Sequence, residues 1–226
     1  MSEPVKAEKR TRRAEKAQET GRRIVEAAAR LFLERGYVPT TIDAIAEAAD
    51  VAVETVYARF RNKTNILMAV KDAAVTEGGQ VPLEQRPELA VLAAETDQRR
   101  QLRIAAALSR GMLQRISPVY AVLRDAAAAD PVLLESQGGE IARRRAFQRA
   151  LVERVSARGP LRDGLTLDQA ADTYSALASP EMYLLTTTHL GWTADRFQGW
   201  LADSLQRILL PDARLAEPPP PDAPAG

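Results

Sequence analysis

Apolar side chains recur at spacings of three and four along nearly the whole chain, the period of amphipathic helix, and no stretch alternates convincingly enough to predict a strand. A first helix is predicted over about Thr20–Arg35, with Ile24, Ala27, Ala28, Leu31 and Phe32 on one face and Gly36 as its stop. Ile42, Ile45, Ala46 and Ala49 form a second stripe, for which Thr40 is the expected cap and Asp43 its capping-box partner. A tight turn at Asp50-Val51 leads to a third stripe of Val53, Val56, Tyr57 and Phe60. Asn62 is then expected to cap a fourth helix through Ile66, Leu67 and Val70 to about Val75. Beyond "EGGQVPLEQRP", helix starts are marked at Arg86-Pro87-Glu88, Ser117-Pro118, Asp130-Pro131, Thr166-x-x-Gln169 and Thr193-x-Asp195. The prediction is an all-α chain.

The short third helix carries two incompatible demands. Its valines and aromatics anchor one side, so Glu54, Thr55, Ala58 and Arg59 must point the other way at ~100° per residue. Two short helices joined by a tight turn on a preceding helix describe a helix-turn-helix, and an outward face of small and polar groups fits a DNA major groove. There Arg59 can pair with guanine, Glu54 can accept from a cytosine amino group, and Thr55 and Ala58 can meet a thymine methyl. Thr40 and Thr41 sit at a helix N-terminus, where phosphate binds well, and Lys63 opens the fourth helix at another. The Tyr57 ring is expected partly in the core with its hydroxyl at the rim. An ordinary three-helix bundle with solvated charges remains open on pattern alone.

Composition narrows the classes. No cysteine excludes thiolate chemistry and disulfides, and the lone His189 leaves little for a metal site or a triad. No catalytic residue, metal or cofactor is expected, and His189 reads as a surface or helix-end residue. No run is long and apolar enough to span a membrane, and the charged N-terminus lacks a secretory core, so a cytoplasmic protein is expected. Net charge is only +1, but residues 1–23 hold eight Lys or Arg against four Glu. Residues 1–19 are accordingly expected to be a disordered basic arm that seeks phosphate, and residues 211–226 a disordered proline-rich tail.

Residues 20–70 resemble the DNA-binding domain of the tetracycline-repressor (TetR) family. The likeness is carried by Ile24-x-x-Ala27-Ala28, Leu31-Phe32, Gly36-Tyr37, Thr40-Thr41-Ile42-x-x-Ile45-Ala46-x-x-Ala49, Val51, Thr55-Val56-Tyr57-x-x-Phe60, Lys63 and Leu67. The resemblance implies that Thr41, Tyr57 and Lys63 contact phosphates, and that residues 52–59, Ala52 and Val53 among them, carry the base readers. It also implies that residues 71–210 form a larger helical bundle for ligand binding and dimerisation. Asp50 stands where the family commonly has glycine, Ala52 replaces a common serine cap, and Glu54 and Arg59 replace a common glycine and histidine.

Within that larger half, Met112, Tyr120, Phe147, Tyr174 and Met182 are candidate pocket residues, being large or adaptable apolar groups. Pro180, read as lying inside a helix of about 168–189, is expected to bend it and shape the pocket. Glu181 is a possible polar handle, and Arg143-Arg144-Arg145 reads as a solvated face. Phe197, Trp200, Leu201, Leu205 and Ile208 make a stripe on the last helix that is either intrachain core or, as the resemblance implies, part of a four-helix dimer interface. The expected function is a dimeric, ligand-responsive repressor on a palindromic DNA operator, released by a small-molecule effector through a population shift with the fourth helix as lever. The alternative is a helical ligand- or protein-binding module without sequence-specific DNA activity.

Overall fold

The computed structural model of the chain describes residues 3–76, 87–128 and 131–212, and every regular element among them is helical. Helix α1 spans Glu3–Arg35. It therefore runs straight through the stretch expected to be a disordered arm. The reason is local: Lys, Arg, Glu, Gln and Ala are strong helix formers and no glycine interrupts them before Gly21. Further along, Arg22 bridges Glu19 and Glu26, both at 2.5 Å, the spacing at which helical charges support each other. Gly36 ends the helix with φ 85°.

Helices α2 (Ile42–Ala48), α3 (Val53–Phe60) and α4 (Lys63–Val75) follow. Thr41, not Thr40, caps α2, its hydroxyl accepting from the Ala44 N–H at 3.1 Å. Thr40 is fully buried and its hydroxyl donates to the Gly36 carbonyl at 2.8 Å. That bond closes the α1–α2 loop and turns the hydroxyl inward, away from the α2 N–H groups. Ala52 offers α3 no side-chain cap, whereas Asn62 caps α4 by accepting from the Asn65 N–H at 2.8 Å. Asp50, with φ 51°, takes the left-handed turn position that aspartate tolerates better than most residues.

The rest comprises α5 (Pro87–Ala94), α6 (Gln98–Ala127), α7 (Pro131–Ser156), α8 (Leu167–Leu177), α9 (Pro180–Leu184) with a π turn at Leu185–His189, and α10 (Ala194–Leu209). Thr166 and Gln169 form the expected capping box on α8, and Thr193 caps α10. Ser117-Pro118 starts no helix, for Pro118 lies inside α6. The helix bears the lost hydrogen bond because its packing on both sides of the proline, at Leu113, Val119 and Leu123, is buried. Pro180 departs from expectation in the opposite sense. It opens α9 behind the Ser179 cap, so the predicted helix of about 168–189 is broken rather than bent. Gly138 and Gly139 lie within α7 without interrupting it.

Two apolar cores form. The first joins Ile24, Phe32, Ile45, Val56 and Leu67 of α1–α4 to Leu123 and Ala126 of α6 and Leu133 of α7. The second holds Leu102, Leu113, Val152, Tyr174, Phe197, Leu201 and Leu205. Helix α6 serves both, and α4 packs on α1 and α6, so α4 touches the first unit and the wall of the second. The last helix corrects one expectation. Phe197, Leu201 and Leu205 are fully buried within their own chain against α6 and cannot meet a partner, while Trp200 is half-buried and Ile208 exposed. No helix among the described residues is long and apolar enough to cross a membrane. Residues 77–86 and 213–226, which hold all but the last residue of the "EGGQVPLEQRP" stretch and most of the proline-rich segment, lie outside the described residues.

Candidate functional site

Two sites are built by this arrangement: an exposed helix face on the first unit and a cavity between α4, α6 and α7. On α3, Val56 is fully buried and Val53 and Phe60 half-buried, while Ala52, Glu54, Thr55, Tyr57, Ala58 and Arg59 are exposed. The helix thus presents a face of small and polar groups outward, as its period predicts. Its supports come from α1 and α4. Arg23 donates to the carbonyl of Ala49 at 2.5 Å and of Asp50 at 3.0 Å, pinning the turn that orients α3. Sequence reasoning missed Arg23, because an arginine on a half-exposed face carries no pattern of its own.

The other expected contacts lie differently. Thr41 is exposed at the α2 N-terminus and Tyr57 is half exposed, both open to a phosphate. Thr40 is internal. The Lys63 ammonium donates to three carbonyls, of Tyr37 at 3.0 Å, Val38 at 3.3 Å and Thr40 at 3.0 Å, and lies 4.3 Å from the Tyr37 ring centre. Burial pushes its pKa down. Lys63 is therefore a clamp on the α1–α2 loop in this structure. Its replacement by methionine is expected to lower stability by ~1.5–3 kcal/mol, the range for hydrogen bonds from a charged donor, in chemical unfolding. The salt dependence of DNA binding should change little.

Arg59 is exposed, yet its guanidinium lies folded over α1 above Gly21, so closely that a Cβ at position 21 would overlap its central carbon. Only glycine leaves that notch. Gly21→Ala is expected to evict the guanidinium toward the exposed face, leave the helix at least as stable, and steepen the salt dependence of DNA binding by about one charge contact. An unchanged slope would mean that Arg59 reaches no phosphate even when released.

The cavity has a volume of about 500 Å³. Of the six residues expected to line it, Met112, Tyr120, Phe147 and Pro180 do. Tyr174 does not: it is fully buried below the cavity, bonded to the Ser109 hydroxyl at 2.9 Å and donating to the Ala105 carbonyl at 3.1 Å. Met182 packs instead against the second core. Lys71, Glu140, Arg144 and Gln148 also line the cavity and were not foreseen. Lys71 had a legible signal, being four residues beyond Leu67 on the buried stripe of α4. Arg144 corrects the reading of 143–145 as a plain solvated face, although Arg145 does pair outward with Asp172.

The Tyr120 hydroxyl donates to Glu181 at 2.5 Å, and burial together with that carboxylate pushes its pKa up to about 12. Burial alone would raise Glu181. The Tyr120 hydrogen bond, its own backbone N–H and Arg144 outweigh it and hold the carboxyl below the ordinary range. Glu181 is thus a fixed anion, but it is exposed and does not itself line the cavity.

Comparison with known proteins bears on both sites. Residues 24–70 match the sequence model of the family described as bacterial regulatory proteins, tetR family. The HTH-type transcriptional regulator TtgR of Pseudomonas putida is 44% identical over 62 residues, 27% of this chain and 30% of that protein. The chain therefore matches less than a third of its curated relative's length. Among solved structures, the SmeT–triclosan complex superposes with a TM-score of 0.66 at 21% identity, covering 92% of this chain and 99% of that one. NalD, described as the secondary repressor of the MexAB-OprM multidrug efflux pump in Pseudomonas aeruginosa, superposes with a TM-score of 0.63 at 23% identity, covering 88% and 99%. At such identities these two establish the fold.

Proposed function

We propose that the chain, whose residues 24–70 match the sequence model of bacterial regulatory proteins, tetR family, is a dimeric, ligand-responsive transcriptional repressor that binds a palindromic operator and is released by a small-molecule effector. The observation that carries the reading is the divided α3, anchored by Val56 at 0% exposure while Glu54, Thr55 and Ala58 stand open. In the proposed complex that face enters the major groove, with Ala52, Glu54, Thr55 and Ala58 near base edges, Thr41 and Tyr57 on the flanking phosphates, and Arg59 still folded over α1. One α3 spans few base pairs. Two on a two-fold axis read a palindrome whose half-sites lie about 34–36 Å or a multiple apart.

The dimer contact is assigned to the outward faces of α8 and α10, with Leu177, Trp200 and Ile208 among the apolar groups still accessible there. The cavity is the effector site. A neighbour in fold is a repressor of an efflux pump, and another was solved with triclosan bound. The triclosan complex agrees with an effector that is compact and largely apolar. An effector that prefers one spacing of the two α3 helices shifts the population away from the DNA-binding one by its differential affinity, typically ~1–3 kcal/mol.

Selection of binding sites from random DNA, followed by footprinting, tests the reading in one experiment. The expected product is an inverted repeat protected on two successive major grooves. Recovery of no enriched sequence, with DNA binding that ignores sequence, would leave a helical ligand-binding module as the better account.

A further inference from the structure

The charges around the cavity divide unevenly. Three cationic side chains line it, Lys71, Arg143 and Arg144, against the single anion Glu140. Lys71 comes from α4 and is 6% exposed, an unusual place for an ammonium. It is bonded to Glu140 of α7 and lies 3.3 Å from Asp72, whose own side chain is open to solvent. Glu140 also receives Arg143. Burial alone would raise the Glu140 carboxyl, but Lys71 and Arg143 outweigh it and hold it below the ordinary carboxylate range. Two polar atoms on the lining residues are buried without a partner, Nε of Arg144 and Oε1 of Gln148. The first is a donor awaiting an acceptor, and the second an acceptor awaiting a donor. Among the described residues Arg144 has one distant counter-charge, Glu181 at 3.9 Å.

Resting on the reading of this cavity as the effector site, we propose that it takes an apolar, ring-sized ligand bearing an anionic head, and that the head is received by Lys71 and Arg144 in competition with Glu140. The apolar walls, Met112, Ile116 and Phe147, take the body. The Gln148 carbonyl accepts from an N–H or O–H on that body. Because Lys71 belongs to α4 and Glu140 to α7, the Lys71–Glu140 pair is the one described ion pair that ties the helix reaching into the DNA-binding unit to the cavity wall. An anion that draws Lys71 away from Glu140 frees α4 at its far end, and the chemistry of recognition is then also the release.

A matched pair of dyes tests the charge requirement. Anilinonaphthalene sulfonate and phenylnaphthylamine share an aromatic body and an N–H, differ in the sulfonate, and both brighten in apolar surroundings. Titrated into the full-length protein, the sulfonate is expected to bind at least about tenfold more tightly than the neutral dye. Lys71→Met should erase that preference and Glu140→Gln should enlarge it, read as the ratio of the two dyes' affinities for each variant. Opposite signs from two partners in one ion pair are what a merely structural role does not give. Lys71→Gln, which keeps a polar head, serves where the methionine variant does not fold. Equal binding of both dyes, or a preference that survives in the Lys71 variants, overturns the proposal and leaves the effector cavity standing. Met112→Trp fills the cavity. If neither dye binds in a manner that this substitution blocks, the effector-site reading itself falls, and the charge proposal with it.

Discussion

Ala58→Glu is expected to weaken operator binding by at least about a hundredfold at moderate salt while leaving the fold intact. Ala58 is exposed at the middle of the outward face of α3, beside Thr55 and Arg59 and one turn from Glu54. Nothing in the protein restrains a longer side chain there, and glutamate is a good helix former, so the substitution touches stability very little. In a groove the same change is severe for two separable reasons. The added bulk prevents the close approach that base readout needs, and the new carboxylate faces a phosphate-lined channel beside the carboxylate of Glu54. Each half-site of a dimer suffers the change once, so the losses combine in the complex. Electrophoretic or anisotropy titration with the selected operator reads the effect, with circular dichroism and a melting curve as the control on fold. Ala58→Ser, small and uncharged, should retain most of the affinity. If Ala58→Glu bound the operator as well as the parent protein, α3 would not be the element in the groove, and the exposed half of this helix would have some other partner.

How much of this was legible beforehand differs between the two halves of the molecule, for a physical reason. Helices α2 and α3 are short and closely coupled, so their caps, turn and apolar stripes are set by residues near in sequence. Ile45, Val56 and Asn62 do what their spacing predicts. Failures in that half concern long-range polar contacts. Whether a threonine caps outward or bonds inward is decided by the loop in front of it, and Thr40 turned to Gly36 while Thr41 took the cap. Whether a lysine reaches for solvent or for carbonyls depends on a loop 23 to 26 residues away, which no local pattern encodes.

The larger half is less legible because its helices are long and many surfaces compete for each stripe. Pro118 and Pro180 are the same residue in similar company, yet one sits within α6 and the other begins α9. What separates them is tertiary. Pro118 is held between buried Leu113 and Val119, whereas Pro180 follows Ser179, whose hydroxyl accepts from the Met182 N–H at 3.1 Å and so stabilises a fresh start. Large apolar side chains such as Met112 and Phe147 were found by type alone. The charged residues of the cavity were hidden because single-sequence reasoning assigns arginine and lysine to solvent. Lys71 shows the correction: a cation in phase with Leu67 and Val70 belongs to the interior and needs a partner there, which α7 supplies in Glu140.

Phe197→Ala distinguishes the two roles that the last helix could have played. Phe197 is 0% exposed within its own chain, in edge contact with Tyr183 at 5.0 Å between ring centres and tilted against Trp200 at 5.7 Å. Truncating it removes the filling of a core shared by α6, α9 and α10, and the tightly packed ring pair cannot collapse into the space. The expected loss is ~3–5 kcal/mol, the range for an aromatic deleted from a core. That is a large fraction of the stability of an ordinary domain and should lower the melting temperature by about 6–20 °C on the scaling of about 2–4 °C per kcal/mol for chains of 150–250 residues. An interface residue would behave otherwise: the fold of each subunit would persist and the dimer would dissociate on dilution. Sedimentation at several concentrations below the melting point separates these outcomes. For a core residue, the variant stays in the parental oligomeric state until it unfolds. Ile208→Ser, on the exposed side of the same helix at 37% exposure, should give the reverse pattern, with little change in subunit stability and a weaker dimer. Dissociation of Phe197→Ala without loss of stability would mean that α10 turns its aromatic stripe toward a second subunit after all.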